Sequence, residues 1–121
     1  MSIDIYHDLE SPVTLNVANT TFRNLIALAN ENGANIRLDD ELIGSFTKRE
    51  CKEISDALKR VVDRLPSQNI QWEETGGVTS ARMIQPASHL SNEVYFGGNR
   101  RSQVREMIRL CDTTSVELYY G

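Results

Sequence analysis

The chain has 121 residues, 40% of them hydrophobic and 25% charged, with a formal net charge of -4 at pH 7. That composition supports one folded core; it excludes a disordered or collagen-like chain, and two cysteines cannot form a disulfide framework. A net acidic surface also disfavours nucleic acid and anionic lipid as partners.

The negative charge is unevenly spread. Residues 1–78 hold 8 Lys and Arg against 13 Asp and Glu, whereas residues 79–121 hold 5 against 4. No apolar run approaches the roughly 20 residues that span a bilayer. No basic-then-apolar leader opens the sequence, so the expected location is the cytoplasm.

Ile3–His7 and Val13–Val17 alternate apolar and polar residues, which predicts two strands joined as a hairpin. Asn19 or Thr20 then caps a helix whose Phe22, Leu25, Ile26 and Ala29 share one face and which stops at Asn32-Gly33. Asp39-Asp40-Glu41 before Leu42-Ile43-Gly44 predicts a capped single turn closed by the glycine. Thr47-Lys48-Arg49-Glu50 is a capping box, in which hydroxyl and carboxylate satisfy backbone donors reciprocally. The helix that follows buries Cys51, Ile54, Leu58, Val61 and Leu65 and ends at Pro66.

Ile70–Glu73 predicts a strand and Thr75-Gly76-Gly77 a turn; residues 78–84 fit a returning strand or a helix equally. Pro86–Asn92 reads as a loop and Glu93–Phe96 as a short strand. Asn99 caps a last helix carrying Val104, Met107, Ile108 and Cys111, and Ser115–Tyr120 forms a final strand. The expected fold is therefore a single α+β domain over residues 1–121. Its sheet is mixed or mainly antiparallel, covered by two main amphipathic helices plus a C-terminal helix.

Chemistry is sparsely signalled. Tyr95, Gly97, Gly98, Asn99, Arg100 and Arg101 read as a strand, two glycines and an arginine-bearing helix start, where free amides and guanidinium groups would receive a phosphate and Tyr95 or Phe96 would stack on a base. The segment lacks the dinucleotide fingerprint and the Walker lysine, and a tight turn with solvated arginines is the favoured account. Arg101, Arg105 and Arg109 recur every four residues beside the apolar face, as a stripe for an acidic protein surface, a nucleic-acid backbone or a cyclic nucleotide or, more simply, a solvated flank.

Asp39, Asp40 and Glu41 are adjacent and do not converge as metal ligands do. Cys51 and Cys111 fall on apolar helix faces and read as core thiols raised in pKa by burial. His7 and His89 are the only histidines, without zinc spacing, and His89 reads as a surface residue. No metal and no cofactor is expected.

Trp72, Tyr119 and Tyr120, with Tyr95 and Phe96, concentrate aromatic area on the predicted C-terminal strands, where outward-facing members would form an adhesive surface or an edge for a second copy. The expected function is that of a small acidic, non-enzymatic interaction protein, a profile common among bacterial and phage inhibitors. Its partner would be a protein with a basic surface, and a homodimer is a further expectation. The alternative is a domain binding a nucleotide or other phosphorylated molecule at Gly97–Arg101. A hydrolase using His89 or Asp39 ranks third.

Overall fold

A computed structural model describes residues 2–7, 14–66, 91–114 and 117–121. Strands β1 (Ser2–Tyr6) and β2 (Thr14–Ala18) form the expected hairpin and lead directly into helix α1 (Asn19–Glu31). Strand β3 (Gly44–Phe46) precedes α2 (Lys48–Val62); the short α3 (Asn92–Tyr95) and a 3-10 turn at Gly98–Arg100 lead into α4 (Arg101–Thr113), and β4 (Leu118–Tyr120) follows. The result is one small α+β domain with a four-stranded antiparallel sheet in the order β2-β1-β4-β3.

Alternation sorts the sheet residues. Ile3, Ile5, Leu15, Val17, Phe46, Leu118 and Tyr120 are buried on one face. Onto that face α1 brings Phe22, Leu25, Ile26 and Ala29, α2 brings Cys51, Ile54, Leu58 and Val61, and α4 brings Val104, Met107 and Cys111. The predicted helical periodicities therefore mark the core, with Leu110 buried and Ile108 only partly so at the margin of α4. Phe22, Phe46 and Tyr120 stack where sheet and helices meet, with ring centres 5.0 Å apart for Phe22–Tyr120 and 4.7 Å for Phe46–Tyr120. Gly44 gives the Tyr120 hydroxyl room, since a Cβ there would lie 3.0 Å from that oxygen.

Several local expectations are corrected. Glu93–Phe96 was expected as a strand, but Ser91 Oγ accepts from Val94 N–H and nucleates the single-turn helix α3, a cap that outweighs the strand preference of Val-Tyr-Phe. Asn99 is not the cap of α4: it lies inside the 3-10 turn, which runs on through Arg100 in helical geometry. Neither Asn19 nor Thr20 caps α1. Ala18 holds that position without a side-chain bond, because β2 turns into α1 with no intervening loop.

The turn at Asp39–Leu42 forms through Leu42 N–H to Asp39 O at 3.2 Å, yet the left-handed residue is Leu42 (φ 53°) and Gly44 belongs to β3. Asn30 pins the connector before it, with its amide donating to Ile36 O and its side-chain oxygen accepting from Ile36 N–H, at 2.9 and 2.8 Å. The expected strands at 70–73 and 78–84, together with Trp72 and His89, lie outside the described residues.

The capping box of α2 is complete: Glu50 N–H donates to Thr47 Oγ1 at 3.1 Å and Thr47 N–H to Glu50 Oε1 at 2.9 Å. Thr47→Ala is expected to lower the unfolding free energy by about 1 kcal/mol. Urea denaturation checks this, and an unchanged midpoint would show that the box contributes nothing to the fold.

Candidate functional site

Several polar groups around Gly97 are bonded within the chain, although the Arg101 Nε is buried without a hydrogen-bond partner among the described residues. Gly98 N–H donates to Pro66 O at 2.9 Å, and a Cβ on Gly97 would sit 2.9 Å from the Pro66 Cβ. These glycines thus admit the end of the α2 segment to the start of the 3-10 turn. The Tyr95 hydroxyl is hydrogen-bonded to Thr21 Oγ1 at 2.7 Å, and the Arg100 guanidinium carbon stands 4.4 Å from the Tyr95 ring centre. Arg100, Asn99 and Arg105 are exposed, Arg101 is half-buried, and Arg109 pairs with Glu106 on the same helix. Exposed charge and stacked aromatic are thus together, while both glycines serve the packing.

Tyr119 and Tyr120 point to opposite sides of the sheet. Tyr120 is 7% exposed and belongs to the aromatic core, whereas Tyr119 is 37% exposed. Burial pushes the Tyr120 hydroxyl upward in pKa, and the carboxylates of Asp39 and Glu50 add to the shift, which keeps the phenol neutral.

The outer face of the sheet follows from strand register. One row across it holds Thr14, Tyr6, Tyr119 and Ser45, in which the Tyr6 and Tyr119 rings stack with centres 5.7 Å apart. The next row holds Asn16 opposite Asp4, with Gly121 bonded to Asp4 through both backbone groups (3.2 and 3.1 Å) and Ile43 beside Gly121. Ile43 is 67% exposed. Asp4 accepts from Asn16 at 2.6 Å, and Glu117 accepts from Ser45 Oγ at 3.1 Å. None of these face positions is Lys or Arg. The face is therefore aromatic at its centre, aliphatic at its β3 edge, and its charged members are acidic.

Sequence reasoning missed a second feature on the helical side, a groove of about 410 Å³ between α2 and α4. Lys48, Arg49, Lys52 and Lys59 line it, and the first, third and fourth of these are all the lysines the chain has. Separations of four and seven residues place them on one stripe of α2, a signal present in the sequence but obscured by the negative total. Ser55 and Cys111 also line this groove and are nearly inaccessible.

At the end of the groove near Lys59, Asp112 accepts from the Ser55 hydroxyl and pairs with Lys59 Nζ at 3.0 Å. Lys52 pairs with Asp56 at 3.1 Å across an exposed helical turn. Cys51 and Cys111 are both buried, as expected, but their thiols interact: the hydrogen bond to Cys51, reinforced by burial, pushes Cys111 upward, and Cys51 is drawn down by the same bond. Cys111 therefore stays a neutral thiol. Among the described residues no three His, Cys, Asp or Glu side chains are grouped as a metal ion would need, and no helix is long and apolar enough to cross a membrane.

Comparison with protein-family models, curated proteins and solved structures finds no match.

Two predictions follow from these contacts. Gly97→Ala should destabilise the fold by about 1–3 kcal/mol through overpacking against Pro66, measurable as a lower urea midpoint; a neutral effect would show that the turn has slack. Burial works to raise the Asp112 pKa, but the bonds from Ser55 and Lys59 outweigh it and the carboxyl lies below its ordinary value. A lowered folded pKa stabilises above the unfolded value, near pH 4, and the gain is lost as pH falls through the folded one. Ser55→Ala should therefore cost about 1 kcal/mol at neutral pH. The gap from the parent should narrow between about pH 5 and about pH 3; a pH-independent gap would assign the hydroxyl's effect to packing alone.

Proposed function

We propose that this protein is a non-enzymatic binding module, and that it engages another macromolecule through the outer face of its sheet. The observation that carries this reading is the pair of rows just described. Stacked tyrosines stand at the centre of a face that carries an exposed isoleucine, Ile43, at its β3 edge, and whose charged members, Asp4 and Glu117, are both acidic. A tyrosine pair held by a sheet loses little side-chain entropy on contact, and tyrosine is enriched among residues that dominate binding energy. The carboxylates favour a protein partner with a basic surface and would speed encounter with it. The acidic composition of residues 1–78 supports the same polarity.

The rival reading, a phosphorylated ligand at Gly97–Arg101, draws on exposed Arg100 stacked over Tyr95. It receives less support, because Gly98 N–H and the Tyr95 hydroxyl already have partners within the chain. A ligand at this turn would have to displace Pro66 O.

Tyr119→Ala combined with Ile43→Ser tests the proposal, since both side chains are exposed, the fold should survive and no acidic charge is added to a face read as attracting a basic partner. Capture of a cross-linkable partner from the native cytosol is expected to weaken by about thirtyfold or more, the ~2 kcal/mol of a hot-spot residue. Raising salt should weaken the parent complex as well. Unchanged capture by the doubly substituted chain would remove the sheet face from consideration.

A further inference from the structure

We propose that the groove between α2 and α4 is a binding site for a small phosphate monoester, seated on Lys48 and Arg49. This goes beyond the proposed sheet interface and does not depend on it.

Four cations and two carboxylates line the groove. Lys59 pairs with Asp112 at 3.0 Å, and Lys52 with Asp56 at 3.1 Å. Among the described residues neither Lys48 nor Arg49 forms an ion pair, although the protein carries an excess of carboxylates. The groove therefore presents two unneutralised positive charges at one end. A phosphate monoester carries about -1.5 to -2 at neutral pH, which matches that residue of charge.

Geometry favours the same class. Arg49 offers the planar fork that bonds phosphate oxygens in pairs, and Lys48 a compact ammonium. The two residues are the first of α2, so their backbone N–H groups have no acceptor inside the helix. The carboxylate adjacent in sequence, Glu50, is turned back to Thr47 N–H by the capping box. Lys52 is 77% exposed and its pair with Asp56 is a solvent-screened one, so it is free to turn to a stronger anion.

The other end of the groove sets the ligand's size. Asp112, fixed by Ser55 and Lys59, places a carboxylate in the path of any anion extended along α2. A polyanion such as nucleic acid would meet that charge; a compact ligand with one phosphoryl group at Lys48 and an uncharged body would not. A volume of about 410 Å³ suits such a molecule.

The test is an amide chemical-shift titration of the full chain in chloride buffer at constant ionic strength, with inorganic phosphate and then a nucleoside monophosphate. Saturable shifts at Lys48, Arg49 and Lys52 are expected, with a Kd of about 1 mM or tighter. Lys48→Gln with Arg49→Gln should weaken binding about tenfold or more, while Arg100→Ala with Arg101→Ala leaves it unchanged. Both pairs avoid the capping box, and the spectra report folding directly. If the first pair nevertheless unfolds, Lys52→Gln replaces it and should weaken binding severalfold. Non-saturable shifts, equal binding by the Lys48/Arg49 variant, or loss only in the Arg100/Arg101 variant would overturn the assignment. So would tighter binding of an oligoglutamate peptide, which would make the groove a protein-docking surface. Because Tyr119 and Ile43 are untouched, failure here leaves the sheet-face reading standing, and the converse holds.

Discussion

The sheet depends on three residues. Leu118–Tyr120 pair with β1 on one side and β3 on the other, so β4 alone joins the hairpin to the short strand that enters α2. Its side chains serve two purposes by simple alternation. Leu118 and Tyr120 close the core against Phe22 and Phe46, while Tyr119, between them, faces outward onto Tyr6. A one-residue slip would exchange these roles and bring the exposed phenol into the core. Register is therefore fixed by the same aromatic packing that presents the candidate interface.

That dependence explains what could be read in advance. Helices α1, α2 and α4 announce themselves because each buries one face, and a 3.6-residue apolar period survives in sequence whatever the partner is. The capping box of α2 is also local: Thr47 and Glu50 are three residues apart and need nothing else. Strand β3 was illegible, since Gly44-Ser45-Phe46 has no alternation to speak of and exists by pairing with β4, more than seventy positions away. Residues 93–96 misled for the opposite reason. Val-Tyr-Phe favours a strand, but Ser91 supplies a cap just before it and, among the described residues, no strand pairs with this segment.

Charge shows the same difference between average and arrangement. A net charge of -4 describes neither the sheet face nor the helical groove. On the sheet, Asp4 and Glu117 stand without cations among the strand positions; on α2, every lysine of the chain is gathered on one stripe. The two surfaces have opposite polarity and lie on opposite layers of the fold. Total charge predicts solubility and encounter with a bulk surface, and it is silent about such a separation.

The Gly97-Gly98 segment shows where motif reasoning stops. Glycines before an arginine-bearing helix permit a ligand to approach the backbone, and they permit another part of the chain to do so equally well. The sequence contains the permission but not the occupant. Here Pro66, the residue that ends the α2 segment, fills the space beside Gly97 and accepts from Gly98, while Thr21 takes the Tyr95 hydroxyl. What remains outward is Arg100 over the Tyr95 ring. On α2 the reverse holds: no motif marks Lys48 and Arg49, yet folding brings them to a groove with their charge unspent. Which charges the fold leaves without a protein partner is thus a matter of arrangement, not of which residues are adjacent in the chain.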